Sequence, residues 1–259
     1  MKERIDILLV ERRLVESRTK AQWLIRNGFA LVDGIEVRKP GKRIDNSCQV
    51  QLKAKFPYVG RGGLKLEAAL KEFSISVKNK VCADIGSSIG GFTDCLLKHG
   101  ALRVYAIDNA IDLLHPSLRC EKMKDQVIPL LGVDARLLKK LDETVDFCSV
   151  DVTFASLRDI LPNIQNYIKI NGDIITLIKP IFETKFKEEK KFQVIQDPQK
   201  LKKILLDLVY WGIKKEIFPY GVIKSPILGK GGSIEFLIHF KIEKASSDFD
   251  YKKQIKLII

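Results

Sequence analysis

The stretch LIKPIFET, residues 177–184, places a lysine at the end of an apolar run. Lys179 follows IITLI and precedes Pro180, which holds it extended rather than helical. A strand-end lysine ordinarily points into water. It can also act as a base, because burial or a nearby like charge disfavours its ammonium form. Four acids stand at comparable places upstream: Asp84 in VCADI, Asp108 in LRVYAID, Asp134 just after VIPLL, and Asp151 at the end of VDFCSVD. One strand-end aspartate is usually a turn or cap residue. Four in succession, with a lysine on the fifth strand, describe an edge lined with ionisable groups. Between the first two acids lies the loop Asp84-Ile-Gly86-Ser87-Ser88-Ile-Gly90-Gly91-Phe92. Glycines there permit a tight turn and a close approach of backbone to a ligand. The spacing is not the dinucleotide pattern G-x-G-x-x-G, which would need glycine in place of Ser88.

These groups need elements that bring them to one edge. From Gly63 a helix runs through LKLEAALKEF. Strands VCADI, LRVYAID, VIPLL, VDFCSVD and DIITLIK then alternate with helices expected from about 91, 111, 135 and 155. That order predicts an α/β fold with a mostly parallel sheet and helices on both faces. A long helix, PQKLKKILLDLVYWG, follows. KKEIFPYGVI and GSIEFLIHFKI then suggest an antiparallel pair at the sheet edge. In open sheets of this kind ligands bind beyond the carboxyl ends of the strands. The charge run KFKEEKKF at 185–192 reads as a solvated loop or helix end.

Residues 1–52 read as a small separate unit, 53–62 as a connector, and 63–259 as the α/β domain. RIDILLVERRLV has apolar positions at helical spacing. Ser17 is a candidate N-cap for a second helix, RTKAQWLIRN, which Gly28 ends. ALVDGIEV reads as a hairpin around Asp-Gly. The same piece carries Arg4, Arg12, Arg13, Arg18, Lys20, Arg26, Arg38, Lys39, Lys42 and Arg43, and the connector adds Arg61.

The 259-residue chain carries a net charge of +13. That favours a polyanionic partner, nucleic acid before an anionic membrane surface. No apolar run approaches the roughly 18 residues of a membrane span. The N-terminal apolar patch, interrupted by Asp6, does not read as a signal peptide. The five cysteines are scattered without a C-x-x-C pair, and the three histidines lie far apart. Neither a disulfide framework nor a metal site is supported, and a cytoplasmic protein with reduced thiols fits best.

Several words of the sequence resemble known families. RIDILLVERRLVESRTKAQWLIRNGFALVDGIEV resembles the small α+β RNA-binding domain first described in ribosomal protein S-four. The resemblance implies contact with structured RNA, through the basic residues Arg4, Arg12, Arg13, Arg18, Lys20, Arg26, Lys42, Arg43 and Arg61. The first glycine loop resembles that of Rossmann-like methyltransferases that use S-adenosyl-L-methionine. This implies that Asp84, Gly86, Ser87, Ser88, Gly90, Gly91 and Phe92 surround the methionine end of the cofactor. It also implies that Asp108 takes the ribose hydroxyls. Asp134 is similar to the adenine-contacting acid of that class, with a helix N-cap as the other reading.

YVGRGGLKLEAAL, ADIGSSIGGFTDCLL and SPILGKGGSIEFL resemble the TlyA family, FtsJ-like ribosomal RNA ribose 2′-O-methyltransferases also known as haemolysins. That resemblance spans nearly the whole chain and implies a catalytic tetrad of Lys65, Asp151, Lys179 and Glu235. In it Lys179 is the base, Lys65 its positioning and pKa-lowering partner, and the two acids orient the lysines. The implied substrate is ribosomal RNA or a ribosomal subunit, at a cytidine of the large-subunit RNA, with one of the small-subunit RNA as a second candidate. A chain that starts close to the RNA module favours members acting on the large subunit alone. The sequence departs from the family at Ile89, commonly threonine, and in the run after Asp108. Two other readings stand beside this one: a membrane-active haemolysin, and an RNA-binding protein with an inactive methyltransferase fold. No metal and no membrane are implied.

Overall fold

A computed structural model describes residues 1–184, 194–243 and 249–259. KFKEEKKF therefore lies outside the described residues. The chain divides into two compact units, Met1–Arg61 and Gly62–Ile259.

In the first unit, β1 (Lys2–Arg4) leads into α1 (Ile5–Glu11), and α2 (Arg18–Arg26) follows. Ser17 caps α2 by accepting a hydrogen bond from Lys20 N, which satisfies one of the donors left free at a helix start. β2 (Ala30–Val32) and β3 (Ile35–Val37) form the expected hairpin. Asp33 and Gly34 both have positive φ, 48° and 79°, as the tight turn matching strand twist requires. β4 (Arg43–Asp45) pairs with β1, and β5 (Val50–Leu52) with β2. Ile5, Leu9, Ala21, Ile25, Ala30 and Val32 form the shared core. Asp6 lies wholly buried beside it. Burial alone would raise its carboxyl, but hydrogen bonds from Arg4, Gln22 and Arg18 hold it far below the usual carboxylate range.

The second unit begins with α3 (Gly62–Glu72). Strands β6 (Val81–Ile85), β7 (Arg103–Asp108), β8 (Val127–Leu131), β9 (Val145–Val150) and β10 (Ile168–Ile178) run parallel. β11 (Phe218–Lys224) and β12 (Phe236–Lys241) complete a seven-stranded sheet of order β11-β12-β10-β9-β6-β7-β8. β12 is antiparallel to both its neighbours, as expected. Pro129 sits in the middle of β8. That is tolerable because β8 is an edge strand and one side needs no backbone donor. α4 (Gly91–Lys98) follows β6, and the long helix α7 (Pro198–Lys214) is capped by Asp197, which accepts from Gln199 N and Lys200 N. Two short helices, α5 (Leu161–Ile164) and α6 (Pro180–Glu183), follow β9 and β10.

Two expected helices do not form. After β7, residues from 111 give only short 3-10 turns at Pro116–Leu118 and Glu121–Met123. Pro116 confines His115 to extended backbone, φ −56° and ψ 138°, so a helix cannot run through it. After β8, residues from 135 form turns. The connection from β8 to β9 must cross two intervening strands, β7 and β6, and return to the end of the sheet where the parallel strands begin. With strands ~4.8 Å apart and ~17 Å long, that path is roughly 22 Å. A helix filling the connection would rise only 1.5 Å per residue, about 20 Å at best. Extended turns span it instead. The helix expected from 155 shrinks to a 3-10 turn, Leu157–Asp159, and the four residues of α5.

Two features exceed the expectation. β10 begins at Ile168, with a register irregularity between Ile168 and Asp173. The tail forms α8 (Tyr251–Ile258), whose Ile255 is fully buried in the main core.

Candidate functional site

The sheet order explains how distant residues meet. β6 to β10 all end at one edge, so Asp84, Asp108, Asp134, Asp151 and Lys179 are delivered to it in turn. β12 runs the other way and therefore starts there. Its first pair is Ile178 with Phe236, which makes Lys179 and Glu235 the next residues outward on adjacent strands. Lys65 comes from the start of α3, which packs on α4 so closely that a Cβ on Gly91 would lie 3.2 Å from Gly63 N.

The four residues form two ion pairs. Lys65 Nζ lies 2.5 Å from Glu235 Oε2, with both side chains at most 10 % exposed. Lys179 Nζ lies 2.6 Å from Asp151 Oδ1. The Lys179 ammonium donates hydrogen bonds to Val152 O at 3.0 Å and Thr153 Oγ1 at 2.9 Å. Lys179 and Asp151 retain 17 % and 22 % exposure, so this pair faces the surface while Lys65–Glu235 lies deeper. Asp151 thus touches Lys179 directly, and each lysine keeps its own acid. Backbone presses on the deeper pair: a Cβ on Gly229 would lie 2.5 Å from the Glu235 carboxyl carbon.

The glycine loop meets the same constellation. Gly86 has φ +79°, and a Cβ there would lie 2.8 Å from the Asp151 carbonyl carbon and closer still to its oxygen. Only glycine lets the loop pass over the end of β9 at that distance. Ser88 N donates to Asp108 Oδ2, and Ala110 N to Asp108 Oδ1, each at 2.8 Å. Ser87 is buried, and its Oγ has no partner among the described residues. A cradle that a Cβ would fill, an orphaned hydroxyl and a strand-end acid fit a cofactor with an amino-acid end and a ribose. Ser87, Ser88, Gly86 and Asp108 would hold it, with Gly90, the left-handed N-cap of α4, and Gly91 beginning the helix.

Asp84 and Phe92 occupy other places. Asp84 has no exposed surface and accepts hydrogen bonds from Thr93 Oγ1 at 2.6 Å and Ser149 Oγ at 3.0 Å. Burial pushes its carboxyl up to about 7, against those hydrogen bonds and with some help from the nearby Asp151 charge. Asp84 therefore shapes the loop from beneath rather than facing a ligand. Phe92 is 3 % exposed, against Gly62. Asp134 binds its own loop: Arg136 N donates to Oδ1 at 2.9 Å and the guanidinium pairs with Oδ2 at 2.6 Å. That pairing holds its carboxyl below the usual range. It is a turn-forming acid, with no helix following.

Sequence reasoning missed Glu183. It is buried and accepts from Ser156 Oγ, Leu157 N and Arg158 Nη1. The cue, a carboxylate four residues after Lys179 at the end of KPIFE, is visible only in retrospect.

In the first unit the basic residues separate into two groups. Arg13, Arg26, Lys42 and Arg43 are exposed. Arg4 grips Asp6 through two hydrogen bonds, at 2.9 and 3.0 Å, and Arg18 reaches the same carboxylate. Arg12 donates to Cys48 O and Asn46 O. Lys20 corrects the expectation: it is buried, paired with Glu16 and set over the Phe56 ring, so its charge is committed inward. Arg61 is half-buried. Among the described residues no helix is long and apolar enough to cross a membrane, and no cluster of three or more His, Cys, Asp or Glu could hold a metal ion.

Comparison with known proteins gives two family matches. FtsJ-like methyltransferases match residues 58–242, and the S4 domain matches residues 3–48. A Bacillus subtilis protein named "Putative rRNA methyltransferase YqxC" is 39% identical over 92% of this chain and 85% of its own length. The Mycobacterium tuberculosis 16S/23S rRNA (cytidine-2′-O)-methyltransferase TlyA is 32% identical over 93% of this chain and 90% of its own. A solved structure described as "Putative hemolysin from Streptococcus thermophilus" superposes with a TM-score of 0.73 at 34% identity, covering 99% of this chain and 94% of that one.

Proposed function

Because the chain belongs to the TlyA group of FtsJ-like methyltransferases, we propose that it methylates the ribose 2′-hydroxyl of a cytidine in large-subunit ribosomal RNA. S-adenosyl-L-methionine would supply an activated methyl group on a sulfonium leaving group. What the protein must add is position and a destination for the hydroxyl proton.

The observation that carries this reading is the pair of lysine–carboxylate contacts beside the Gly86 loop. Lys179 acts in its neutral form: its ammonium first gives a proton to solvent. The free Nζ lone pair then takes the hydroxyl proton as the new carbon–oxygen bond forms and the methyl group leaves sulfur. The Asp151 carboxylate, 2.6 Å away, stabilises the ammonium that results. Val152 O and Thr153 Oγ1 fix the direction of the amine. Lys65, locked by Glu235, holds the far side of the site. The exposed arginines and lysine of the first unit supply contacts to RNA phosphates, which position without reading sequence.

Replacing Lys179 with Ala should abolish methyl transfer to ribosomal RNA while calorimetric binding of S-adenosyl-L-methionine persists. Mass mapping of ribose methylation, with and without the protein, identifies the nucleotide. A Lys179→Ala protein that methylates at the normal rate would sink the assignment. Methylation on a base rather than a ribose would sink the reaction.

A further inference from the structure

We propose that Glu183 is a positioning residue for the Asp151–Lys179 pair, an inference that rests on the methyl-transfer reading above. Glu183 closes α6, the single helical turn that begins just after Lys179. Its side chain is only 2 % exposed. Its carboxylate accepts from Ser156 Oγ at 2.8 Å, Leu157 N at 2.8 Å and Arg158 Nη1 at 2.7 Å. All three donors lie on the stretch that follows Asp151.

Two segments are therefore fastened together at two points. At the first, Lys179 reaches Asp151, Val152 and Thr153. At the second, Glu183 reaches residues 156–158. The rings of Phe154 and Phe182 meet between them, with centroids 5.5 Å apart. A chain segment held at one end can pivot, whereas one held at both ends cannot. Without Glu183, the loop that carries every acceptor of the Lys179 amine would lose its second polar anchor to this segment.

Burial is what makes this carboxylate unusual. It pushes the Glu183 carboxyl upward, and the Leu157, Ser156 and Arg158 contacts oppose that push. A buried acid needs such partners to remain ionised. The three donors therefore have to stay in place around it, which makes the clamp stiff. Geometry of this kind matters because a displacement near 1 Å at a reacting group can cost about 10²-fold in rate.

The test uses the full chain with ribosomal RNA, in the variants Glu183→Ala, Glu183→Gln and Ser156→Ala. Four quantities are read: kcat, KM for RNA, calorimetric affinity for S-adenosyl-L-methionine, and the rate at which acetic anhydride labels the Lys179 amine. Glu183→Ala should lower kcat on the order of 10²-fold. Its cofactor affinity and KM should stay near wild type, and Lys179 should label faster. Ser156→Ala, which removes one of the three donors and is the milder perturbation, should shift kcat and labelling the same way by less. Glu183→Gln, which keeps an acceptor for Leu157 N, should recover part of the kcat. Wild-type kcat and labelling in Glu183→Ala would overturn the inference, and so would an equal fall in kcat and cofactor affinity across the variants. If the wild-type protein does not methylate RNA but Glu183→Ala still labels faster, the clamp stands and the methyl-transfer reading falls.

Discussion

Replacing Gly86 with Ala should damage stability and catalysis together, because two demands meet at that one residue. Its φ of +79° is left-handed, where an L side chain costs roughly 1–2 kcal/mol. Its Cβ would also lie 2.8 Å from the Asp151 carbonyl carbon. Ordinary carbon contacts begin near 3.5 Å, so the end of β9 must retreat by about 0.7 Å or more. Such overpacking adds about 1–3 kcal/mol, for a total near 2–5 kcal/mol. The retreat moves the backbone that carries the Asp151 carboxylate, and a shift of that size should lower kcat by about 10²-fold. Gly34 supplies the control. Its φ is also +79°, but nothing lies within 4 Å of its Cβ position. Gly34→Ala therefore measures the conformational cost by itself, in the other unit. Urea unfolding of both variants, with transfer of labelled methyl to ribosomal RNA, reads the two effects. A Gly86→Ala protein that unfolds no more easily than Gly34→Ala, and methylates at the wild-type rate, would refute the reasoning.

Three further outcomes can be checked. Asp84 holds its proton up to about pH 7 in the folded state, against 3.8 for the ordinary residue. The folded state therefore binds the proton more tightly, so stability should fall as pH rises from 4 to 7 and level off above, by at most roughly 4 kcal/mol. Asp84→Asn should remove that slope in pH-dependent denaturant curves; identical slopes would exclude Asp84 as its source. Replacing Arg13, Arg26, Lys42 or Arg43 with Ala should leave folding intact and reduce the salt dependence of RNA binding, by about 0.7–0.9 for each phosphate no longer neutralised. Lys20→Ala should leave that slope unchanged, as filter binding across a salt series would show. Ile255→Ala, which empties the buried seat of α8, should cost about 2–5 kcal/mol in equilibrium unfolding.

Much of the molecule was legible in its linear order. The central parallel strands β6, β7 and β9 are legible as short apolar runs, because a strand covered on both faces needs no polar alternation. Ser17, Gly28 and Asp33-Gly34 announced their own backbone conformations, because caps and tight turns are local. Lys179 before Pro180 was conspicuous for the same reason: charge beside an apolar run needs no distant information to be noticed.

Most of what failed was non-local. The helix expected from 111 is the exception, since Pro116 stops it locally. The one expected from 135 depended on how far apart β8 and β9 would lie, and strand order is a tertiary property. The helical tail was missed because Ile255 is apolar in sequence but gains its stability only from the core it enters. Asp84 and Lys20 looked like ligand contacts until burial turned both inward. The β12 register beside β10 brings Glu235 to the same edge as Lys179. The pairing of Lys65 with Glu235, 170 residues away, and the division of the tetrad into two ion pairs also needed α3 to deliver Lys65 there. The sequence by itself determined which groups this protein owns. Only the tertiary structure decided which of them touch, since contact between distant residues depends on the sheet that brings their ends to one edge.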